Sequence, residues 1–199
     1  MNTTQLKPFS KDILHIDNIE AVCDGIIAKL RNDVYRTLQR RGGVVGISGG
    51  IDSSVCFALA AKAFGSENVT GIMLPEQDSS GESKDLAQEL ADVYGVETLV
   101  EDITAALDGF GCYRRRDEAI GRVILDFNPD SDKAKIEIKQ NIGQNMPAIF
   151  SITVIKPDGE IISKLLPAKE YLQIVAATNF KQRSRMSMLY YHAERLHYA

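Results

Sequence analysis

Residues 43–57 read GVVGISGGIDSSVCF. A short apolar run stops at two consecutive glycines, flanked by hydroxyls and one carboxylate, and the chain then turns apolar again. Few structures accept that order: a buried strand, a tight turn, and a helix that begins inside the turn. Glycines let the backbone bend sharply and present amide N–H groups that no side chain covers. The following helix adds its own free N–H groups and its positive end. Ser48, Ser53 and Ser54 supply hydroxyls. Such a set of donors suits phosphate. Asp52 is the odd member, because a carboxylate beside phosphate is repulsive unless a divalent cation lies between them. It reads as a magnesium ligand. The plainer alternative is a tight turn in which Asp52 and Ser53 merely cap the helix.

Two commoner nucleotide loops do not fit. The P-loop needs a Gly-Lys-Ser/Thr ending, and no lysine occurs here before Lys62. The dinucleotide fingerprint needs G-x-G-x-x-G, which Gly46, Gly49 and Gly50 do not form.

The rhythm around the loop sets the fold class. Residues 19–41 carry an apolar stripe at Ile19, Val22, Ile26, Ile27, Leu30, Val34 and Leu38, which predicts a helix. A strand over residues 43–47 follows, then a helix over 53–64 ended by Gly65. The pattern repeats with a strand at 69–74, a loop at 75–81 and an amphipathic helix at 83–94 with Leu86, Leu90 and Val93 inward. A third strand is expected at 96–100. Strands alternating with helices of this length predict an α/β fold with a parallel sheet. Ligands in such sheets collect beyond the carboxyl ends of the strands, so residues 48–53 and 76–81 are expected to face one crevice.

The middle is less regular. Residues 120–127 can close a helix, and 128–139 (NPDSDKAKIEIK) are polar, expected to be mobile or exposed. FSITVI, PDG and EIISKLL predict a β-hairpin with an Asp-Gly turn. Residues 128–165 thus read as an insertion in a single domain spanning 1–199. Residues 169–198 are mostly helical, with Asn179 interrupting or restarting the helix.

With 23 Lys and Arg against 27 Asp and Glu, the net charge is -4, which argues against a general polyanion binder and so against a nucleic-acid partner. No stretch approaches 18 apolar residues, so no membrane span is expected. Cys23, Cys56 and Cys112 are odd in number and scattered, which fits neither a disulfide framework nor zinc and points to a reducing, cytoplasmic setting. The run Arg114, Arg115, Arg116 opens a solvated helix, or places one arginine against phosphate or in a lid.

SGGIDS resembles the signature loop of the ATP pyrophosphatase superfamily, whose members cleave ATP to AMP and pyrophosphate while activating a carbonyl or carboxylate. Two further stretches narrow the choice. LPEQDSSGESKDLAQELADVYGV resembles the second-strand loop and helix of NAD synthetases, with Ser79, Ser80, Ser83 and Asp85 in place. NFKQRSRMSMLYYHA is similar to that family's Asn-x-x-x-Arg-x-Arg-Met helix. The resemblance implies an adenine-nucleotide alpha-hydrolase-like fold, a parallel sheet flanked by helices. It implies that Gly46, Ile47, Ser48, Gly49, Gly50, Ile51, Asp52 and Ser53 hold ATP phosphate, that Asp52 binds Mg2+, that Ser80 borders the ATP site, and that Arg183 contacts deamido-NAD. The implied reaction adenylates the nicotinate carboxylate of deamido-NAD with ATP, then amidates it with free ammonia to give NAD, AMP and pyrophosphate. A homodimer is implied, with the helix from residue 19 and the last helix as candidate surfaces.

The family pattern continues with a further strand ending in Gly-Thr-x-Asn, a nearby Glu, a Gly-Asp-Gly loop and a lysine; this sequence ends at HYA. A fragment or truncated form is therefore expected, with a sheet incomplete at its C-terminal side and an unpaired edge. Two other readings stand beside the leading one. A sulfur-transferring tRNA modifier would need cysteines in the second half, where only Cys112 occurs. A non-catalytic nucleotide-binding protein would follow from the missing C-terminal elements.

Overall fold

The computed structural model describes residues 11–79, 81–139 and 149–199. Three short strands form a parallel sheet: β1 (Gly43–Gly46), β2 (Val69–Met73) and β3 (Glu97–Val100), in the order β1-β2-β3. Helix α2 (Ile51–Phe64) connects β1 to β2, and α3 (Gly81–Tyr94) connects β2 to β3. The register sets Gly46 beside Ile72 and Ile72 beside Leu99. β2 is central and buried at every position, and Thr70 is its single polar residue.

Alternation along the strands divides the core. Val45, Val69 and Met73 pack with Ile27 of α1 (Ile19–Arg31), with Phe57 and the alanines of α2, and with Ala87 and Ala91 of α3. Val44, Ile72 and Leu99 face the other way. They meet Leu107 of α4 (Thr104–Gly109), Tyr113 of α5 (Cys112–Val123) and Ala177 and Leu189 of α6 (Ala168–Leu196).

A second sheet is antiparallel: β4 (Lys133–Lys139), β5 (Ile149–Ile155) and β6 (Ile161–Leu165), in that order. β5 and β6 form the expected hairpin around the Asp-Gly turn, with Gly159 at φ 91°. The expectation that residues 128–139 are exposed holds for most of them, but part of the segment is regular. Lys133–Lys139 is not loose chain but a third strand, pairing Ile136 with Ile152 and Ala134 with Val154. Its lysines and glutamate alternate with Ala134, Ile136 and Ile138; Ile136 joins Ile120, Ile124 and Ile174 in a separate core, while Ala134 and Ile138 stay exposed.

Three other expectations shift. The helix from residue 19 is α-helical only to Arg31 and continues as one wider π turn over Asn32–Thr37, with Ile27 and Val34 buried while Ile19, Val22 and Ile26 stay exposed. The inward face of α3 is Ala87, Leu90 and Ala91, whereas Leu86 is exposed and Val93 is 75% exposed. Alanine lets that helix lie close on the sheet and α2, and the longer side chains rotate out. Asn179 does not interrupt α6, which runs unbroken for 29 residues. Asparagine costs a helix at most about 0.7 kcal/mol, and the buried Ala177 and Ile174 on the same helix outweigh it.

After α6 the chain turns at His197, which is left-handed (φ 59°). Ala199 then pairs with the outer side of β1: its N–H donates to Gly42 O and its carbonyl accepts from Val44 N–H, both at 2.9 Å. That is the bonding pattern of a parallel bridge. No helix among the described residues is long and apolar enough to cross a membrane.

Candidate functional site

At the carboxyl ends of β1 and β2 lies a cleft of about 840 Å³. Ser48 enters it from the glycine loop, Glu76, Asp78 and Ser79 from the segment after β2, Ser83 and Lys84 from the start of α3, and Arg185 from α6. The two loops expected to share a crevice do so.

The glycine loop is held by its own hydroxyls. Ser53 Oγ donates to Gly50 O at 2.9 Å and accepts from Ser48 N–H at 3.3 Å. Ser54 Oγ donates to the same carbonyl at 2.9 Å. Gly49 has φ 74°, and a Cβ there would stand 2.6 Å from Ser83 O, so only glycine lets this loop touch α3. Gly50 is the N-cap of α2 and offers no side-chain cap. The first intrahelical bond is Ser54 N–H to Gly50 O, at 3.1 Å. The amides of Ile51, Asp52 and Ser53 precede it and point out of the helix end, which makes this terminus an anion site by construction.

Gly46 and Ile47 line the floor of the cleft, with Ile47 N–H bonded to Ile72 O at 2.9 Å. Ile51 and Asp52 are exposed in the first turn of α2. Among the described residues no group of three His, Cys, Asp or Glu side chains could hold a metal by itself. A cation at Asp52 would therefore complete its shell with phosphate oxygens and water, the arrangement magnesium favours. The exposed oxygen donors of Asp52, beside an uncapped helix start, fit that group. Ser80 lies outside the described residues. Arg183 is exposed on α6 and does not line the cleft; Arg185, two residues on, does. Its Nε donates to Leu74 O at 3.2 Å, which aims the guanidinium across the end of β2.

Behind the cleft sits a charged cluster that joins the loop after β2 and the arginine run to Lys181, a residue that motif reading missed. Glu76, 6% exposed at its side chain, accepts from Lys181 Nζ at 3.2 and 3.1 Å and from Tyr113 Oη at 2.8 Å. Asp78 accepts from both Lys181 and Arg116. Arg116 also holds Asp117 at 2.7 Å. The Tyr113 ring lies under both cations, 5.0 Å from Lys181 Nζ and 5.6 Å from Arg116 Cζ. Burial works against ionisation of Asp78, but Lys181 and Arg116 outweigh it and hold its carboxyl below the usual range. Burial and the Glu76 carboxylate push the Tyr113 phenol up, so it stays a neutral donor. The other two arginines of the run face outward, Arg114 to Glu118 and Arg115 to Phe110 O. Burial also raises the Cys112 thiol, whose Sγ donates to Ala177 O, so it is a packing group rather than a nucleophile.

Comparison with known proteins agrees with this geometry. The NAD synthase family profile matches residues 22–119. The chain is 47% identical over 179 residues to an NH3-dependent NAD+ synthetase of Mesorhizobium japonicum, covering 90% of this chain and 56% of that one. It is 46% identical over 191 residues to the enzyme of the same name from Rhizobium meliloti, covering 96% and 56%. The chain thus spans somewhat more than half the length of these relatives. In fold it is similar to the NMN synthetase of Francisella tularensis (TM-score 0.56, 18% identity, 92% of this chain and 53% of that one). It is also similar to the NH3-dependent NAD synthetase of Campylobacter jejuni (TM-score 0.50, 22% identity, 90% and 52%). The profile match and these relatives place the chain in the NAD synthase family.

Proposed function

We propose that this chain carries the nucleotide-binding part of an ammonia-dependent NAD synthetase. In the reaction, a nicotinate carboxylate oxygen of deamido-NAD attacks the α-phosphorus of ATP and pyrophosphate leaves. Ammonia then attacks the acyl carbon of the adenylate, releasing AMP and NAD. The observation that carries the reading is the uncapped start of α2, with its amides and serine hydroxyls, two residues after Ser48, which lines a cleft that Arg185 borders.

In that cleft the amides of residues 51–53 and the hydroxyl of Ser48 bind phosphate oxygens, and Arg185 and Lys84 add positive charge along the rim. Fixed donors of this kind stabilise charge that builds on the leaving pyrophosphate without reorganising during the step. Asp52 would hold Mg2+, which when bound draws electron density from the phosphate oxygens. No side-chain nucleophile is required, since the reacting carboxylate belongs to the substrate. What the protein supplies is alignment of that oxygen with phosphorus. Arg183, exposed on α6, is available for deamido-NAD from outside the cleft. We further propose a homodimer using the exposed faces of α1 and α6.

The test is incubation with ATP, Mg2+, deamido-NAD and ammonium, following NAD and AMP. Equal formation of both above a no-protein control is expected. In Asp52→Ala the rate should fall about a hundredfold or more, the range seen when charge-stabilising groups are removed from such sites. Magnesium-dependent ATP binding without either product would reduce the reading to a nucleotide-binding protein.

A further inference from the structure

Of the three consecutive arginines, Arg116 alone turns inward: its side chain is 17% exposed and meets Asp78. Asp78 borders both the nucleotide cleft and a second cleft of about 870 Å³ that lies between α5, α6 and the antiparallel sheet. Arg116 and Lys181 line that second cleft. Both donate to the same oxygen, Asp78 Oδ2, from elements far apart in sequence. Two fixed cations converging on one acceptor oxygen describe an oxyanion site, and here an aspartate of the loop fills it.

Each cation has a second partner. Lys181 keeps both oxygens of Glu76, and Arg116 keeps Asp117. Departure of Asp78 would leave neither charge buried and alone, the outcome that makes breaking most buried pairs costly. Asp78 is also the most exposed member of the group, at 42%, so it can rehydrate where it stands. Glu76, at 6%, cannot, and it is the anchor rather than the exchanging group.

We propose that Arg116 and Lys181 form an oxyanion subsite for the acid substrate at the junction of the two clefts, with Asp78 as a placeholder that the substrate's anionic oxygens displace. This rests on the functional reading above, and it adds a site outside the glycine loop. The junction is where an acid held in the second cleft would meet a nucleotide held in the first. The anionic oxygens are those of the carboxylate or of the diphosphate of deamido-NAD.

The test is calorimetric binding of deamido-NAD, NAD and ATP with Mg2+ to the unsubstituted chain, Arg116→Gln and Asp78→Asn. Arg116→Gln should weaken deamido-NAD about tenfold, the effect of losing one charge-assisted hydrogen bond, while ATP stays within about twofold. Asp78→Asn, which removes the competing anion, should tighten deamido-NAD severalfold. NAD keeps the diphosphate but not the carboxylate. Equal weakening of NAD by Arg116→Gln would assign the subsite to diphosphate, and no effect on NAD would assign it to carboxylate; either supports the subsite. Unchanged deamido-NAD affinity in Arg116→Gln, or weaker binding in Asp78→Asn, overturns it while ATP binding leaves the nucleotide cleft standing. An unsubstituted chain that binds neither ligand overturns both.

Discussion

A single methyl group at position 49 is enough to test the glycine loop. It would meet Ser83 O at 2.6 Å, and the residue would have to hold φ 74°. The left-handed conformation alone costs a non-glycine residue about 1–2 kcal/mol, and the carbonyl of α3 can move only by unseating the helix. Gly49→Ala is therefore expected to lower stability by at least that amount and to abolish ATP binding, read by thermal melting and calorimetry on the same sample. Gly121→Ala is the control. It lies within α5, with nothing within 4 Å of the added Cβ, and should stabilise by about 0.4–1 kcal/mol through the unfolded chain. Full ATP affinity in Gly49→Ala would mean that the loop does not need its contact with α3.

At the scale of elements, the segment after β2 is tied to α6 and α5 by charge, and that tie titrates. The folded state holds the Asp78 carboxyl below its ordinary value of about 3.9 because Lys181 and Arg116 overcome the opposing effect of burial. A depressed carboxylate contributes stability that is complete above the unfolded value and disappears as pH falls through the folded one. The melting temperature should thus drop on acidification below about pH 4, and drop less steeply in Asp78→Asn. Equal slopes would remove Asp78 from the acid response.

What could be read from sequence at this scale follows from how local its cause is. The parallel strands and the glycine turn were legible because each is set by a few adjacent residues. The buried face of α3 was not, because periodicity favours the larger Leu86 and Val93, while tight helix packing selects Ala87 and Ala91. β4 was hidden by its own exposed side: lysines and a glutamate alternate with Ala134, Ile136 and Ile138, and the polar half dominates the composition. The cluster behind the cleft was legible only in part: residues 76–81 and the arginine run stood out, but their pairing with Lys181 did not. Glu76 and Lys181 are 105 residues apart and belong to no common pattern until the fold pairs them. Only the spacing of Lys181 and Arg185, one helical turn apart, hinted that both point to one side of α6.

On the scale of the whole molecule, α6 is the piece that makes two sheets one body. Its first half packs Ile174 on the antiparallel sheet, its middle and end pack Ala177 and Leu189 on the parallel one, and His192 Nε2 reaches Glu101 Oε1 at 2.6 Å beyond β3. At about 1.5 Å per residue the helix is some 43 Å long, more than one layer needs. Its surface still shows Tyr190, and α1 shows Ile19, Val22 and Ile26, the last three spaced to lie along one stripe. Such stripes leave water when a second copy covers them, and a dimer whose interface buries them gains about 25 cal/mol for each Å² of apolar surface. Replacing Val22 and Ile26 together by glutamate, and separately Tyr190 by glutamate, places charge in that interface without touching a buried position. Light scattering should then give the mass of one chain for whichever variant strikes the contact, against two for the unsubstituted protein, with unchanged far-ultraviolet circular dichroism. An unsubstituted protein that scatters as one chain at concentrations well above its working range would end the dimer proposal, and α6 would be left with its internal task of joining the two sheets.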